Sequence, residues 1–567
     1  MKGTLLVAGT HSDVGKSVVV AGICRWLARE GVKVAPFKAQ NMALNSFVTR
    51  EGAEIGRAQA AQAGAARVEP EAAMNPVLLK PSAERETQVI LRGKPWAMAS
   101  ARSYQEMKEE LLPVVLESLQ DLRRRFDVVV CEGAGSPAEI NLRAQDLANM
   151  GLARAAALPV IVVGDIDRGG LFASLYGTLA LLDAEDQAHV GGFIVNKFRG
   201  DITVLAPGLE RMSQLTGRPF LGTLPYVRGL GLDVEDSLAL DGAPRDPLPP
   251  LGRDLIRVAV VRLPRISNFT DLDALSYEPG VAARFTESSQ EILASDLAVL
   301  PGTKTTVADL AWLRSRGLDS VLTERARLGL PILGICGGYQ MLGRRIRDDI
   351  ESGEGEIPGL NLLPVETAFE EEKLLARPSG YAPGFENTKV SGYEIRHGRV
   401  LRHGGEPLFA TNDSDEGCRV GATFGTSWHG IFESDGFRRA FLRWVARERA
   451  LHWSAGDASF AAAREAQLDK LGDLVAENID REVLLRLIEN GPPEDLPVIS
   501  NQLSAVSSRS SGHRSSVSRQ LKAGDALHAG TPASSNGEGV PGLSRPGVTL
   551  PPSGNDHREP QKLKADS

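Results

Sequence analysis

Two separate groups of residues in this chain have the types and the spacing of reactive sites. Near the N-terminus, residues 9–17 (GTHSDVGKS) have the composition of a phosphate-binding loop. Much later, residues 333–340 (LGICGGYQ) place a cysteine before two glycines, and residues 427–430 (SWHG) follow with a histidine. A triphosphate site together with a thiol amidohydrolase site indicates an enzyme that releases ammonia and uses ATP to fix it.

The phosphate loop is expected to turn successive backbone N–H groups toward the β- and γ-phosphates of ATP, at the positive end of the helix that follows. Lys16 would neutralise phosphate charge, and the Ser17 hydroxyl would ligate Mg²⁺. The spacing departs from G-x4-G-K-[ST], because five residues separate Gly9 from Gly15 and Thr10 stands where the first glycine usually falls. An ordinary glycine-rich turn between a strand and a helix is the alternative interpretation.

Polar residues follow three other apolar runs that are predicted to end at the same sheet edge as the loop. Glu132 follows residues 128–131, and its carboxylate is predicted to bind Mg²⁺, with an acidic turn residue as the alternative. Asp165 and Arg168 follow the next run, where they can position a metal ion or a substrate carboxylate; a helix cap is the alternative for the aspartate. Asn196 follows a later run and is predicted to contact the adenine edge, with a turn residue as the alternative.

The second group of residues has the pattern of a thiol nucleophile. Cys336 lies between an apolar run and two glycines, the arrangement of a strained strand-to-helix turn that exposes a side chain. A helix N-terminus lowers the pKa of such a thiol, and the backbone N–H of Gly337 can stabilise an oxyanion. His429 is the predicted base partner, and Gly302, after residues 297–300, is a predicted second oxyanion donor. Packing of a small buried residue is the alternative for the cysteine.

Composition excludes several classes of protein. With 567 residues the chain is too long for one core, and two or three domains are expected. A net charge of −8 argues against a nucleic-acid partner, and four widely spaced cysteines fit a reducing compartment better than a disulfide framework. The start of the chain and the absence of long apolar stretches predict a cytoplasmic protein without a signal peptide or a membrane partner.

Apolar runs alternate with amphipathic stretches along most of the chain, which predicts an α/β fold with two mostly parallel sheets covered by helices. The predicted strands are residues 4–8, 32–37, 128–131, 160–163, 192–195, 256–261, 297–300 and 331–335. The predicted helices are residues 17–29, 103–124 and 467–489.

These patterns divide the chain into five parts. Residues 1–240 are predicted to form the phosphate-loop domain, residues 241–253 a proline-rich linker, and residues 254–450 the domain with the thiol. Residues 451–498 are predicted to be a helical extension. Residues 499–567 are rich in Ser, Gly and Pro and are predicted to be a disordered tail, because such a segment cannot bury enough apolar area to offset its ordering entropy.

A resemblance to a known family rests on five segments. They are residues 36–46 (PFKAQNMALNS), 54–59 (EIGRAQ), 75–81 (NPVLLKP), 262–271 (RLPRISNFTD) and 392–398 (GYEIRHG). On these segments the chain resembles the cobyric acid synthase family, the glutamine-dependent corrinoid amidotransferases of cobalamin biosynthesis, over about residues 1–450. Its first half resembles dethiobiotin synthetase, and its second half resembles class I glutamine amidotransferase domains.

The resemblance implies an ATP-dependent reaction, with Mg²⁺, that uses glutamine to amidate a corrinoid substrate. The substrate implied is adenosylcobyrinic acid a,c-diamide, amidated at carboxylates b, d, e and g. Lys38, Gln40 and Asn41 follow the second predicted strand and are candidates for binding the corrinoid. An Asn-capped helix start is the alternative interpretation of these three residues.

The resemblance also implies a catalytic dyad of Cys336 and His429. Class I domains usually place a glutamate two residues after the histidine, where this chain has Ile431. Glu433 lies two residues further on, and whether it assists the histidine is left open.

Two other functions fit the sequence less well. The a,c-diamide synthase of the same pathway shares both half-domains, but residues 39–42 (AQNM) favour the cobyric acid synthase family. A non-catalytic ATP switch that resembles partition ATPases, with an inactive amidase domain, is the second alternative. The presence of both Cys336 and His429 argues against it.

Overall fold

The computed structural model describes residues 1–82, 86–227, 247–412 and 414–499 of this chain, and these residues fall in one compact unit. The helices, in chain order, are α1 (Lys16–Arg29), α2 (Arg57–Ala65), α3 (Ala101–Arg125), α4 (Met150–Ala156), α5 (Leu171–Leu181), α6 (Ala184–His189), α7 (Ile202–Thr216), α8 (Ser289–Ala294), α9 (Thr306–Ser315), α10 (Leu318–Arg327), α11 (Gly337–Leu342), α12 (Asp435–Glu448), α13 (Phe460–Asn478) and α14 (Arg481–Asn490).

Strands are short and alternate with these helices. In chain order they are β1 (Gly3–Gly9), β2 (Val34–Phe37), β3 (Gln40–Met42), β4 (Ser46–Val48), β5 (Glu54–Gly56), β6 (Val77–Pro81), β7 (Thr87–Leu91), β8 (Lys94–Ala99), β9 (Val128–Glu132), β10 (Val160–Asp165), β11 (Val190–Phe198), β12 (Phe220–Pro225), β13 (Ile256–Val261), β14 (Val281–Thr286), β15 (Leu297–Leu300), β16 (Ile332–Ile335), β17 (Arg345–Asp348), β18 (Gly355–Pro358), β19 (Val365–Ala376), β20 (Ser379–Ala382), β21 (Thr388–Ser391), β22 (Glu394–Arg402), β23 (Phe409–Ala410), β24 (Asp415–Glu416), β25 (Cys418–Val420) and β26 (Thr423–Thr426).

Six parallel strands form the main sheet of the N-terminal half, in the order β12-β11-β10-β1-β9-β2. Strands β1, β9 and β10 are buried along nearly their whole length, which explains their continuous apolar sequences. Because parallel strands end at a common edge, β1 and β9 bring Gly9 and Glu132 to the same side of the sheet. The predicted α/β fold with parallel sheets is confirmed.

A second six-stranded sheet forms the C-terminal half, in the order β14-β13-β15-β16-β26-β25, with one antiparallel pair at the β25 edge. Strands β16 and β26 pair in parallel, so that Ile335 lies opposite Thr426. Cys336 follows the first of these residues directly, and His429 follows the second after two residues. The strand pairing therefore brings together two side chains that are far apart in the sequence.

The N-terminal half also contains a smaller sheet and a hairpin that contacts the C-terminal half. Strands β3, β6, β7 and β8 form one sheet of the N-terminal half, and β4 pairs with β5 in a hairpin. Val48, at the end of β4, packs against Tyr393 and Ile395 of the C-terminal half. This hairpin thus carries the N-terminal half into contact with the strand β22 region.

The end of the described chain returns to the N-terminal half. Helix α13 packs against α1, and buried Arg25 of α1 donates to Glu465 at 2.7 Å and to Asp469 at 2.8 Å. The prediction of a single helix over residues 467–489 is wrong. Two helices occur there, because the Asp480 carboxylate accepts the Val483 N–H at 3.0 Å and so caps a new helix.

Some predictions fall on other parts of the chain. Of the predicted linker, residues 241–246 lie outside the described residues, and residues 247–253 have no helix or strand. The predicted tail lies outside the described residues from residue 500 onward. Among the residues that the structure describes, no helix has both the length and the apolar character needed to cross a membrane.

The packing of α13 on α1 predicts a measurable effect of truncating Leu471. This side chain is 1% exposed within the core of the N-terminal half. Replacing a buried leucine by alanine leaves a cavity, so Leu471→Ala should lower the free energy of unfolding by about 2–5 kcal/mol. Urea unfolding of the full chain measures this loss. Glu477→Ala, at an exposed position of the same helix, is the control and should change stability by less than about 0.5 kcal/mol; equal effects of the two variants would contradict the packing.

Candidate active sites

The loop between β1 and α1 has the geometry of a phosphate cradle. Gly15 has a φ of +99°, and a Cβ atom there would lie 2.1 Å from the Asn196 side chain, so only glycine fits. Lys16 opens helix α1, and its Nζ donates to the carbonyl oxygens of His11 at 3.0 Å and Gly135 at 3.1 Å. The lysine thus reaches across the loop to the segment that follows β9.

Glu132 contacts several polar side chains at the predicted metal site. It is 1% exposed, and its Oε1 accepts the Ser17 hydroxyl at 2.9 Å and the Lys38 ammonium at 2.9 Å. Burial raises the pKa of Glu132, but the charge and hydrogen bond of Lys38, and the hydrogen bond of Gln62, hold it below its ordinary value. A carboxylate and a hydroxyl are the hard oxygen donors that Mg²⁺ prefers, so Ser17 and Glu132 fit this ion.

The other predicted nucleotide-side residues also lie against the loop. Asn196 donates its side-chain N–H to the Val14 carbonyl at 2.9 Å, and this hydrogen bond helps to hold the loop in place. Asp165 is buried and accepts from Lys197 at 2.7 Å, with the Arg168 guanidinium 3.8 Å away. The structure therefore brings these residues to the loop, while the roles predicted for them in binding adenine, metal or substrate stay predictions.

The three predicted corrinoid contacts have different surroundings. Lys38 and Asn41 are buried, the first against Glu132 and the second donating to Gln59 at 2.8 Å. Gln40 is partly exposed, and its Oε1 accepts the Tyr104 hydroxyl at 2.7 Å. Of the three side chains, Gln40 has the most access to solvent, and a corrinoid-binding role for any of them stays a prediction.

Cys336 occupies the strained turn that its sequence predicts. It has φ +50° and ψ −108°, an unfavourable conformation for a residue with a Cβ atom, and it directly precedes helix α11. The glycines beyond it are required by space, because a Cβ on Gly338 would lie 1.9 Å from the Leu300 carbonyl oxygen. The side chain is 6% exposed and lines a pocket formed mostly by residues of the C-terminal half.

A carboxylate that the sequence analysis did not identify completes the thiol site. Asp271 and His429 are both buried, and Asp271 Oδ2 lies 2.7 Å from His429 Nδ1 while its Oδ1 accepts the Gly430 N–H at 2.8 Å. Burial lowers the pKa of His429, but Asp271 and Cys336 outweigh this and raise it to about 10. The structure therefore adds Asp271 to the implied pair of Cys336 and His429, and the catalytic roles of the three residues stay predictions.

Glu433 has a different partner. Its carboxylate pairs with Arg57 of the N-terminal half, and Arg464 lies 3.9 Å away. Asp271, and not Glu433, contacts the ring of His429. The question left open by the sequence is thus decided by geometry: Glu433 belongs to the contact between the halves.

The predicted oxyanion glycines lie beside the reactive pair. A Cβ on Gly302 would lie 2.8 Å from Cε1 of His429, and a Cβ on Gly337 would lie 3.2 Å from the backbone nitrogen of Thr303. Gly337 thus lines the pocket of the thiol and Gly302 lies against the ring of His429, and their role as donors stays a prediction. The ionisable side chains lining the same pocket are Lys80, Lys304, Glu351, Lys373, Arg396 and His397.

A pair of reciprocal hydrogen bonds joins the N-terminal half to the thiol site. Asn268 Oδ1 accepts the Ser46 N–H at 2.8 Å, and Asn45 Oδ1 accepts the Phe269 N–H at 3.1 Å. With its oxygen fixed in this way, Asn268 turns its side-chain nitrogen toward Nε2 of His429, at 3.2 Å. That N–H can bond Nε2 only while the ring is neutral, so the contact opposes the imidazolium that Asp271 favours.

A buried ion cluster lies at the same boundary. Glu54, which is fully buried, contacts Lys80 of the N-terminal half at 2.6 Å and Lys373 of the C-terminal half at 2.5 Å. Lys80 also donates to the Ser46 hydroxyl at 3.0 Å. Both lysines line the pocket of Cys336, so the N-terminal half forms part of its wall.

Comparison with known proteins gives matches over both halves. Residues 5–237 match the CobQ/CobB/MinD/ParA nucleotide binding domain, and residues 257–437 match the CobB/CobQ-like glutamine amidotransferase domain. A cobyric acid synthase of Streptomyces avermitilis is 58% identical over 505 residues, which cover 88% of this chain and 99% of that protein. Those of Frankia casuarinae and Rhodococcus jostii are 57% and 55% identical over 88% of this chain and 99% and 98% of their own lengths.

The contact between Asp271 and His429 predicts a change in the histidine's titration. In Asp271→Asn the charge and hydrogen bond of the carboxylate are lost while burial and Cys336 still act, so the pKa of His429 should fall well below about 10. The imidazolium would then be lost at a lower pH than in the wild-type protein, and glutamine hydrolysis should fall about 100-fold or more. NMR titration of the imidazole and glutaminase kinetics measure the two effects. Glu433→Gln should leave the titration unchanged; if it lowered the pKa as much as Asp271→Asn, the assignment of Asp271 would be wrong.

Proposed function

This chain belongs to the cobyric acid synthase family, and from this premise we propose that it amidates the b, d, e and g carboxylates of adenosylcobyrinic acid a,c-diamide with ATP and glutamine. The observation that carries the proposal is the presence of two complete and different sites in one compact unit. Lys16, Ser17 and Glu132 meet at one sheet edge, and Cys336 meets His429 at another.

The phosphate-loop site supports activation of the acceptor. A carboxylate is a poor electrophile, so transfer of the γ-phosphoryl group of ATP to one of its oxygens creates an acyl phosphate that ammonia can attack. Ammonia then attacks the acyl carbon, phosphate departs, and loss of a proton from nitrogen gives the amide. Lys16 and the loop N–H groups would balance the phosphate charge, and Mg²⁺ held by Ser17 and Glu132 would supply further charge neutralisation.

The thiol site supports release of the ammonia. The Cys336 sulfur attacks the amide carbon of glutamine, and ammonia leaves with a proton from His429. Water, deprotonated by the same imidazole, then hydrolyses the thioester to glutamate and restores the thiol. Asp271 holds the ring in the orientation that both steps require.

The position of the thiol pocket supports direct transfer between the sites. Ammonia that reached bulk water would be protonated, and ammonium has no lone pair with which to attack an acyl phosphate. Lys80 of the N-terminal half lines the pocket, which places this pocket at the boundary of the two halves. We infer that ammonia passes along this boundary to the phosphate-loop site.

The two-site division predicts a pattern of rescue by ammonium. Cys336→Ala removes the nucleophile, so amidation with glutamine should stop, while high ammonium at raised pH should restore much of it. Lys16→Ala removes charge from the phosphate site and should lower amidation about 10²-fold or more with either nitrogen source. Product mass spectrometry with each donor distinguishes the two.

Buried Cys418 provides the matched control for the thiol variant, because burial raises its pKa to about 11. Cys418→Ala should keep glutamine-dependent amidation. Full glutamine-dependent activity of Cys336→Ala would refute the thiol assignment, and failure of ammonium to rescue a correctly folded Cys336→Ala would refute the division into two sites.

The Ser46–Asn268–His429 contacts predict that the N-terminal half restrains glutamine hydrolysis. Asn268→Ala removes the N–H that competes for Nε2 of His429 and the oxygen that Ser46 holds. Hydrolysis without ATP and acceptor should then rise severalfold, so that more than one glutamine is consumed per amide formed. Asn412→Ala, at an exposed position, should keep the ratio near one. An unchanged ratio in Asn268→Ala would show that this contact does not restrain the histidine.

A further inference from the structure

A groove on the N-terminal half lies next to the phosphate loop. Of the residues that line it, only Gln40 has been given a predicted role above. It is lined by Gln40, Lys108, Ser136, Arg143, Asp146 and Asn149, among others. The segment after β9 forms one wall, since Ala134 and Ser136 also line the groove. Gly135, between these two residues, accepts the hydrogen bond of Lys16 at 3.1 Å. The groove therefore shares a wall with the site predicted to hold the γ-phosphate of ATP.

Lys108 is the unusual residue of this groove. It lies in the middle of helix α3 and is 8% exposed, with its Nζ 5.5 Å from the ring centroid of Tyr104. In the part of the chain that the structure describes, it makes no hydrogen bond and no ion pair within 4 Å. A partly buried ammonium without an anionic partner is unfavourable, because the partial desolvation of its charge is not compensated.

The acidic neighbour of Lys108 does not supply that partner. Burial lowers the pKa of Lys108, and the Asp146 carboxylate raises it only in part. The oxygens of Asp146 accept the backbone N–H groups of Ala148, Asn149 and Gly151 at 2.9–3.0 Å, which directs them into the adjoining turn. Lys108 thus presents a positive charge to the groove that an anionic group of a ligand would neutralise.

A second polar side chain in the groove is also incompletely paired. Asn149 is 4% exposed and donates its Nδ2 to the Ala134 carbonyl at 2.6 Å. Its Oδ1 has no hydrogen-bond partner among the described residues, but this atom is fully buried against Gly133, where an added Cβ would lie 2.1 Å from it. Asn149 therefore adds polar lining to the groove, and Lys108 supplies the charge that a polar ligand would meet there.

We propose that Lys108 binds the acceptor carboxylate of the substrate at the groove beside the phosphate loop. This inference rests on the proposed function, which requires an acceptor carboxylate next to the γ-phosphate. Lys16 and the loop N–H groups serve the phosphate on one side of Gly135, and Lys108 serves the carboxylate on the other. Tyr104 links this position to Gln40, since both Lys108 and Gln40 contact its side chain.

The test compares binding of two corrinoids that differ only in their peripheral groups. Adenosylcobyrinic acid a,c-diamide carries the four target carboxylates b, d, e and g, and in the product these four are amides. A charge-assisted hydrogen bond from Lys108 should make the wild-type protein bind the diamide about 10- to 100-fold more tightly than the product. Lys108→Met should lose most of this preference, whereas Arg102→Met, at an exposed position of the same helix, should keep it. Equilibrium dialysis monitored by corrinoid absorbance gives both dissociation constants.

The companion measurements separate the alternatives. Glutamine hydrolysis by Lys108→Met reports that the variant is folded, and Lys108→Gln repeats the comparison if the methionine variant is not. Retention of the wild-type preference by a folded variant would overturn the proposal. So would a rise in the KM for ATP with unchanged corrinoid binding, because Lys108 would then serve the phosphate. If the wild-type protein formed no amide from the diamide at all, the proposed function would fail and not only the role of Lys108.

Discussion

The buried carboxylate of Glu54 is the interaction on which the arrangement of the two halves depends. A fully buried charge is tolerated only when oppositely charged groups lie close to it. The buried Glu54 carboxylate forms ion pairs with Lys80 of the N-terminal half and Lys373 of the C-terminal half. Burial raises the pKa of Glu54, but the two ammonium groups hold it well below its ordinary value, while burial lowers the pKa of Lys373 to about 8. Separating the halves would break the pair of Glu54 with Lys373 and leave Glu54 with Lys80 alone, so the cluster helps to fix the wall of the thiol pocket.

This boundary explains how two incompatible chemistries are combined. In the proposed reaction, glutamine hydrolysis requires water at Cys336, whereas an acyl phosphate must be kept from water until ammonia arrives. The hairpin that carries Ser46 reaches Asn268, and Asn268 contacts the imidazole of His429. A single short segment therefore lies at the boundary and is linked through Asn268 to the proposed site of ammonia release.

Local patterns predicted the local features well. Continuous apolar runs identify buried parallel strands, and the glycines around Lys16 and Cys336 identify turns that only glycine permits. The sequence does not identify Asp271 as a partner of His429, because no spacing rule connects the two residues. They come into contact only through the tertiary fold. The packing of α13 on α1 also depends on the tertiary fold. So does the environment of Lys108, because only the folded structure shows that no anionic group of the described residues pairs with its ammonium.

In the proposed reaction, ammonia made at Cys336 reaches the phosphate-loop site without entering bulk water. Amidation with glutamine labelled with ¹⁵N at its side-chain amide, in a large excess of unlabelled ammonium at neutral pH, tests this transfer directly. The mass of the corrinoid product then reports the source of each new amide. With direct transfer, nearly every new amide nitrogen carries the label. Dilution of the label in proportion to the ammonium in solution would contradict it.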